Sequence, residues 1–259
     1  MHNAAFDHFG IDARYELRDI ARDDIPRFVE EARGPGWLGF QVTTPHKQAV
    51  MEYLDDIDEE AHRIGAVNSV LRRDDGALAG FNTDAPGFAR AVEDELGVSL
   101  SGITAAVTGA GGAARAVVQA LLSAGAAEVT VGNRTIARAE SLASAFGEPV
   151  SATGLGRAFE SALARSALAI NATTVGMHSP GAAFDVAALP ASASVYDLVY
   201  EPAESELLRA ARERGLRTAN GLGMLVNQAA LAFERWTGVT GAGTVMRAAL
   251  GPLLANRDS

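Results

Sequence analysis

From about residue 100 onward the apolar positions fall into short runs, 103–109 (ITAAVTG), 128–133 (EVTVGN), 167–172 (ALAINA) and 194–199 (SVYDLV). Between them lie stretches with helical spacing, 113–125 (AARAVVQALLSAG), 137–146 (ARAESLASAF) and 203–215 (AESELLRAARERG). Strands alternating with helices predict a parallel, doubly wound sheet. Before residue 85 the pattern is also mixed, with strands predicted in 37–43 and 66–72 and a helix in 24–32. The segment 221–236 puts Leu222, Leu225, Val226, Ala229, Phe233 and Trp236 on one apolar stripe, which predicts a helix. The chain therefore reads as an α/β protein of two lobes, one formed by 1–84 and completed by 221–259, the other by 85–220.

The first strand of the repeating half runs into a glycine turn and then a helix. Gly109, Gly111 and Ala114 fill the pattern G-x-G-x-x-G/A. The first glycine permits a tight turn, the second lets backbone approach a pyrophosphate, and the small third residue lets helix and strand pack closely. A glycine-rich turn without a ligand is the alternative. The next strand ends where an NAD-binding fold carries an acid for the ribose 2′-hydroxyl. This chain has Asn133, Arg134 and Thr135 there, then Arg138. A carboxylate would repel a 2′-phosphate, whereas a guanidinium pairs with it and stacks on adenine. The pattern points to NADP(H), although arginines at a helix end are also found simply solvated.

Lys47 is the only lysine among 22 lysines and arginines. It follows Thr44 and Pro45, which look like the cap and first residue of a helix. That would set Lys47 in the first turn, where the helix dipole disfavours a cation and eases release of its proton. Arginine, always protonated, cannot exchange a proton there, and lysine can. Taken alone, a surface lysine fits equally well. Asp84 precedes a helix, where a capping role is common. Asn68 suits a strand end. Gly221, Met224 and Gln228 share a stripe of the last predicted helix, a place where glutamine is usually solvated.

Composition narrows the function. A net charge of −10 argues against nucleic acid as a partner. No apolar run approaches the roughly 20 residues that span a bilayer, and residues 1–10 lack a signal-peptide pattern, so a cytoplasmic protein is expected. There is no cysteine, and the five histidines show no metal-binding spacing, so no metal is expected. Many acids with a single lysine suit a salt-adapted or high-GC source.

The ordered motifs resemble those of the shikimate dehydrogenase family along nearly the whole chain. They are 1–15 (MHNAAFDHFGIDARY), 41–47 (QVTTPHK), 65–68 (GAVN), 82–84 (NTD), 109–115 (GAGGAAR), 133–135 (NRT), 170–177 (INATTVGM), 196–200 (YDLVY) and 220–238 (NGLGMLVNQAALAFERWTG). The resemblance implies an α/β substrate lobe and a Rossmann-type NADP-binding lobe with a cleft between. It also implies reversible, NADP-dependent reduction of 3-dehydroshikimate to shikimate in aromatic amino-acid (chorismate) biosynthesis. Lys47 and Asp84 would be the catalytic pair, while Thr43, Asn68, Asp84 and Gln228 would bind substrate and Tyr200 would line the cleft. Gly109, Ala110, Gly111, Gly112 and Ala113 would hold the pyrophosphate. Asn133, Arg134, Thr135 and Arg138 would hold the 2′-phosphate end, and Thr173, Leu198, Gly221 and Met224 would complete the cofactor site. The sequence itself leaves the oligomeric state open, a homodimer being one expectation.

Two departures stand out. Gln41 replaces the family's asparagine in the lysine motif, and no role is assigned to it. Family members also begin about 20 residues earlier, with a strand and a Ser-x-Ser-Pro segment whose hydroxyls bind the substrate carboxylate. The expectation from this start is a complete cofactor lobe with weak shikimate binding. The rival readings are a quinate/shikimate dehydrogenase, the more distant methylenetetrahydrofolate dehydrogenase, and a non-catalytic NADP-binding relative. The motifs at 82–84 and 221–228 speak against the folate enzyme.

Overall fold

The computed structural model describes residues 1–177 and 179–255. The chain forms two compact units, Met1–Asp84 with Val226–Ser259, and Ala85–Leu225.

The first unit opens with helices α1 (His2–Phe9) and α2 (Ile25–Ala32), then strand β1 (Gly39–Gln41). In α2 the buried residues are Ile25, Val29 and Ala32, one stripe at helical spacing, and a proline sits in the first turn. Strand β2 (Asp56–Ile57), helix α3 (Glu59–Ile64) and strands β3 (Ser69–Arg72) and β4 (Leu78–Phe81) follow. Both ends of α3 are capped. Asp58 accepts a hydrogen bond from Ala61 N at 2.7 Å, and Gly65 closes the helix at φ 69°. The sheet order is β1-β3-β4-β2.

Register decides where the chemistry gathers. Gln41 pairs with Ser69, and Ser69 with Phe81, both antiparallel. Asn68 therefore precedes its strand at the same sheet end where Val42 and Thr43 leave β1 and Asn82–Asp84 leave β4. Three motifs distant in sequence meet at one end of the strands of this sheet.

The expected helix start at Thr44 and Pro45 is not formed. Residues 43–48 make turns, with a cis peptide between Thr44 and Pro45, and the following 3-10 helix spans Ala49–Tyr53. Lys47 sits in that turn and not in the first turn of a helix, so no helix dipole acts on it as expected. The turn is fixed by backbone bonds, His46 N to Thr43 O (2.9 Å) and Val67 N to Lys47 O (2.9 Å).

The second unit takes in most of α4 (Asp84–Leu96), then β5 (Thr104–Thr108), α5 (Gly112–Ser123), β6 (Glu128–Asn133), α6 (Ile136–Phe146) and β7 (Val150–Gly154). It continues through α7 (Arg157–Leu163), β8 (Leu168–Asn171), β9 (Ser194–Asp197), α8 (Glu206–Glu213) and β10 (Arg217–Asn220). Its six strands pair in parallel, in the order β10-β9-β8-β5-β6-β7. This is the doubly wound Rossmann arrangement, and its order reverses between β5 and β8. Helices α7 and α8 bury Phe159, Leu163, Leu207, Leu208 and Ala211 against Ala106, Ala169 and Val195 of the sheet. Gly132 is required here, since a Cβ would lie 2.4 Å from the Phe159 ring.

Helices α9 (Leu222–Thr237) and α10 (Ala242–Ala255) end the chain. Val226, Ala229 and Phe233 of α9 pack with Ala5, Phe6, Ala242 and Met246 in the first unit. Trp236 Nε1 donates to Val70 O at 3.0 Å, which ties α9 to β3. Gly39 allows this approach, because a Cβ there would come within 2.2 Å of Val70 O.

Candidate active site

In the first unit, Lys47 Nζ donates to Asp84 Oδ2 at 2.6 Å. Their side chains are only 18% and 8% exposed, so solvent screens the pair little. The other carboxylate oxygen accepts from Asn68 Nδ2 at 2.8 Å. Asn68 is held in turn by Thr83, whose N–H donates to Asn68 Oδ1 at 2.7 Å and whose Oγ1 accepts from Asn68 Nδ2 at 3.0 Å. Asn82 fixes the approach to α4. Its Oδ1 accepts from Asp84 N at 3.0 Å, and its Nδ2 donates to Ala66 O at 2.9 Å. Asn82 thus serves the helix start, leaving the Asp84 carboxylate to the lysine and to Asn68.

Gln228 of α9 joins the same cluster. Its Oε1 takes Gln41 Nε2 at 2.9 Å and lies 3.4 Å from Asn68 Nδ2. It is half-buried and not the solvated surface glutamine that its stripe allowed. Thr43 is exposed on the turn that carries Lys47. The structure therefore brings Lys47, Asp84, Asn68 and Gln228 together, with Thr43 four residues from the lysine.

Sequence reasoning missed Gln41, His2, Tyr15 and Thr83. Gln41 Oε1 accepts from Tyr15 Oη at 3.2 Å and lies 3.0 Å from His2 Nε2. The His2 ring stacks on Tyr15 with centroids 4.5 Å apart and lies 5.1 Å from the Trp236 ring. Burial lowers the His2 pKa from 6.5 to about 4, against a smaller opposing effect of the Gln41 hydrogen bond.

In the second unit the predicted cofactor residues gather at the carboxyl ends of the strands, where ligands bind in such sheets. Gly109 follows β5 at φ 113°, and a Cβ on it would be 2.8 Å from Ala172 O. Glycine is needed there both for the turn and for the approach to the end of β8. Gly111 caps α5 without a side-chain hydrogen bond, and a Cβ on Gly111 or Gly112 would meet nothing within 4 Å. The first amides of such a helix have no acceptor within the helix, which suits a pyrophosphate. Ala110 and Ala113 complete the loop.

At the end of β6, Asn133 Nδ2 donates to Thr135 O at 2.9 Å. Arg134, Thr135 and Arg138 are exposed, and among the described residues neither guanidinium pairs with a carboxylate. Such a donor set fits a 2′-phosphate.

Asp197, fully buried at the end of β9, organises the remaining loops. It accepts from Ser205 Oγ (2.5 Å), Asn171 Nδ2 (2.8 Å) and Val199 N (3.0 Å). Burial raises the pKa of its carboxyl group, and these hydrogen bonds act in the opposite direction. Asn171 Oδ1 receives both Thr173 N (3.0 Å) and Thr173 Oγ1 (2.7 Å). Leu198 and Tyr200 lie on the loop after β9, both half-buried. Gly221 must be glycine, because a Cβ would lie 2.0 Å from Leu198 O. Met224 N is 3.3 Å from the Tyr196 hydroxyl, which accepts its hydrogen.

Three family models match the chain. Residues 1–70 match the shikimate dehydrogenase substrate binding domain, 90–178 the shikimate / quinate 5-dehydrogenase, and 221–250 the shikimate 5'-dehydrogenase C-terminal domain. The chain is 45% identical over 258 residues to the NADP(+) shikimate dehydrogenase of Symbiobacterium thermophilum, covering 96% of this chain and 87% of that protein. It is 42% identical over 240 residues to the Geobacillus kaustophilus enzyme of the same name, covering 92% and 87%. The solved structure of Thermus thermophilus shikimate 5-dehydrogenase, in complex with NADP(H) and shikimate, matches with a TM-score of 0.86 and 39% identity, covering 96% of this chain and 91% of that one.

Proposed function

The chain belongs to the shikimate dehydrogenase family, and from that premise we propose that it interconverts 3-dehydroshikimate and shikimate with NADP(H), a step of aromatic amino-acid biosynthesis. The observation that carries the reading is the Lys47–Asp84 pair, 2.6 Å apart and oriented by Asn68. NADPH, when bound, supplies the hydride for the ketone carbon. Lys47 holds a proton within reach of the substrate oxygen and gives it up as that oxygen becomes a hydroxyl. In the oxidation direction the same nitrogen takes the proton back. Lysine can make this exchange because it carries three rotatable donors and can lose one proton, which arginine cannot. Asp84 keeps the Nζ aimed through Oδ2, and its carboxylate offsets the charge of the ammonium.

Asn68, Thr43 and Gln228 bind the ring hydroxyls in this reading, and Tyr200 lines the substrate position. The loop Gly109–Ala113 receives the pyrophosphate on backbone amides. Arg134, Arg138, Thr135 and Asn133 hold the 2′-phosphate end of the cofactor. Thr173, Leu198, Gly221 and Met224 shape the nicotinamide end. Residues 1–84 with the last two helices thus form the substrate part, and the Rossmann unit the cofactor part.

The test is NADP⁺ and NAD⁺ reduction with shikimate and with quinate. We expect NADPH to form with shikimate, and much less product with NAD⁺ or quinate. A chain that binds NADP⁺ and turns over neither alcohol contradicts the reading. The proposal includes a cytoplasmic location and a homodimer. Sedimentation at the monomer mass would contradict the dimer.

A further inference from the structure

Strand register sets Asn171 opposite Asp197 at the carboxyl ends of β8 and β9, and both side chains are fully buried. Asn171 uses every position of its amide. Its Oδ1 accepts from Thr173 N at 3.0 Å and Thr173 Oγ1 at 2.7 Å. Its Nδ2 donates to Asp197 Oδ1 at 2.8 Å and to Val175 O at 3.1 Å. Thr173 N can only donate and Val175 O can only accept, so turning the amide over would set donor against donor and acceptor against acceptor. The Thr173 hydroxyl gives its proton to Asn171 and accepts from Val175 N at 3.1 Å. The turn after β8 is therefore fixed by Asn171, and Asn171 is aimed by Asp197.

The same Asp197 Oδ1 accepts from Val199 N at 3.0 Å. The Leu198–Val199 peptide is planar and trans, so holding its N–H also sets the direction of the Leu198 carbonyl. Val199 O accepts in turn from Gly221 N at 3.2 Å. Thr173, Leu198 and Gly221, three of the four residues read as shaping the nicotinamide end, thus lie within two hydrogen bonds of one carboxylate. The other oxygen serves a different element. Asp197 Oδ2 accepts from Ser205 Oγ at 2.5 Å, and Ser205 caps α8 through Leu208 N at 3.3 Å.

We propose that Asp197, acting through Asn171 and Val199, is a positioning residue for the nicotinamide end of NADP(H). One buried acceptor locks the turns after β8 and β9 against each other, so the groups that meet the nicotinamide are held before it arrives. This rests on the reading of Thr173, Leu198 and Gly221 as residues of that end. The Oδ1 contacts lead to the cofactor turns and the Oδ2 contact leads to α8, so the two can be cut separately.

The test compares Asn171→Ala, Asn171→Ser, Ser205→Ala and Thr173→Ala with the wild type. Affinities are measured for NADPH and for 2′-phospho-ADP-ribose, which keeps the adenine and all the phosphates and lacks the nicotinamide. Thermal melting, and kcat with shikimate and NADP⁺, are measured on the same proteins. Asn171→Ala should weaken NADPH binding about tenfold, the effect of one or two hydrogen bonds, and leave the fragment within about twofold. Its kcat should fall about tenfold or more, as a misplaced reacting group requires. Asn171→Ser should change in the same direction and gives the readout if the alanine variant folds poorly. Ser205→Ala should melt lower and keep the wild-type ratio of the two affinities. Thr173→Ala tests the underlying assignment and should shift that ratio toward the fragment. An unchanged ratio in both Asn171 variants, with a shifted one in Thr173→Ala, overturns the positioning role, even if the variants melt lower. A shift in Ser205→Ala as large as in Asn171→Ala overturns it as well. An unchanged ratio in Thr173→Ala removes the nicotinamide assignment itself, and the proposal falls with it.

Discussion

Replacing His2 with glutamine should flatten the acid side of the stability curve of the first unit. The buried ring titrates at about 4 in the folded protein against 6.5 in the free side chain. As pH falls through 6.5 the unfolded chain takes up a proton on His2 that the folded chain refuses until about 4. Between those values the unfolded state binds more protons, so stability decreases as pH decreases. Each pH unit is worth about 1.4 kcal/mol, so the full window amounts to about 3 kcal/mol and the part above pH 5 to about 2 kcal/mol. Glutamine can still donate to Gln41 and has no proton to gain. Both tryptophans, Trp37 and Trp236, lie in the first unit, so urea unfolding followed by their fluorescence reports on that unit. Other titrating groups, such as Asp55 beside Arg33, are common to both proteins and cancel in the difference. The variant should gain about 2 kcal/mol on wild type between pH 7 and pH 5. Parallel curves over that range would refute the buried, neutral histidine.

Arg134→Asp should lower the ratio of catalytic efficiencies with NADP⁺ and NAD⁺ by about tenfold or more, the worth of one charge-assisted hydrogen bond; an unchanged ratio would transfer the role to Arg138. Gly109→Ala forces a side chain into φ 113° and within 2.8 Å of Ala172 O, so it should destabilise the Rossmann unit by more than about 1 kcal/mol and weaken NADPH binding, and a wild-type melt with wild-type affinity would contradict this. Asp197→Asn replaces one acceptor with a donor facing Ser205, Val199 or Asn171 and should cost about 1–3 kcal/mol. Far-ultraviolet melting measures it, and a melting temperature equal to wild type would contradict the network.

The central strands β5, β6, β8 and β9 were legible because each carries apolar residues on successive or alternate positions and is buried along most of its length. The edge strands β7 and β10 were not. VSATG and RTAN are half-exposed at the sheet margins, so burial leaves almost no pattern in them. The glycine loop could be read because its turn is a local demand, a positive φ at Gly109, while the approach of Ala172 that also requires glycine there comes from a distant part of the chain. The lysine turn misled for the same local reason. Thr-Pro looks like a helix start, yet the backbone of Lys47 is held by Val67, a partner no spacing rule finds. The glutamine network was the least legible. Gln41 meets His2, Tyr15 and Gln228 across 39, 26 and 187 residues of chain, and only the sheet register and the seating of α9 bring them together.

The most direct test of the account is shikimate oxidation by Lys47→Met beside the wild type, with NADPH affinity measured on both. The substitution keeps most of the length of the side chain and removes its exchangeable protons. The account predicts that the wild type reduces NADP⁺ with shikimate, that the variant loses about 10²–10⁴ in kcat, and that NADPH affinity is unchanged. Lys47→Arg should fail equally, since its guanidinium keeps its proton. Turnover by the methionine variant close to that of the wild type would contradict the assignment of proton transfer to Lys47 and Asp84.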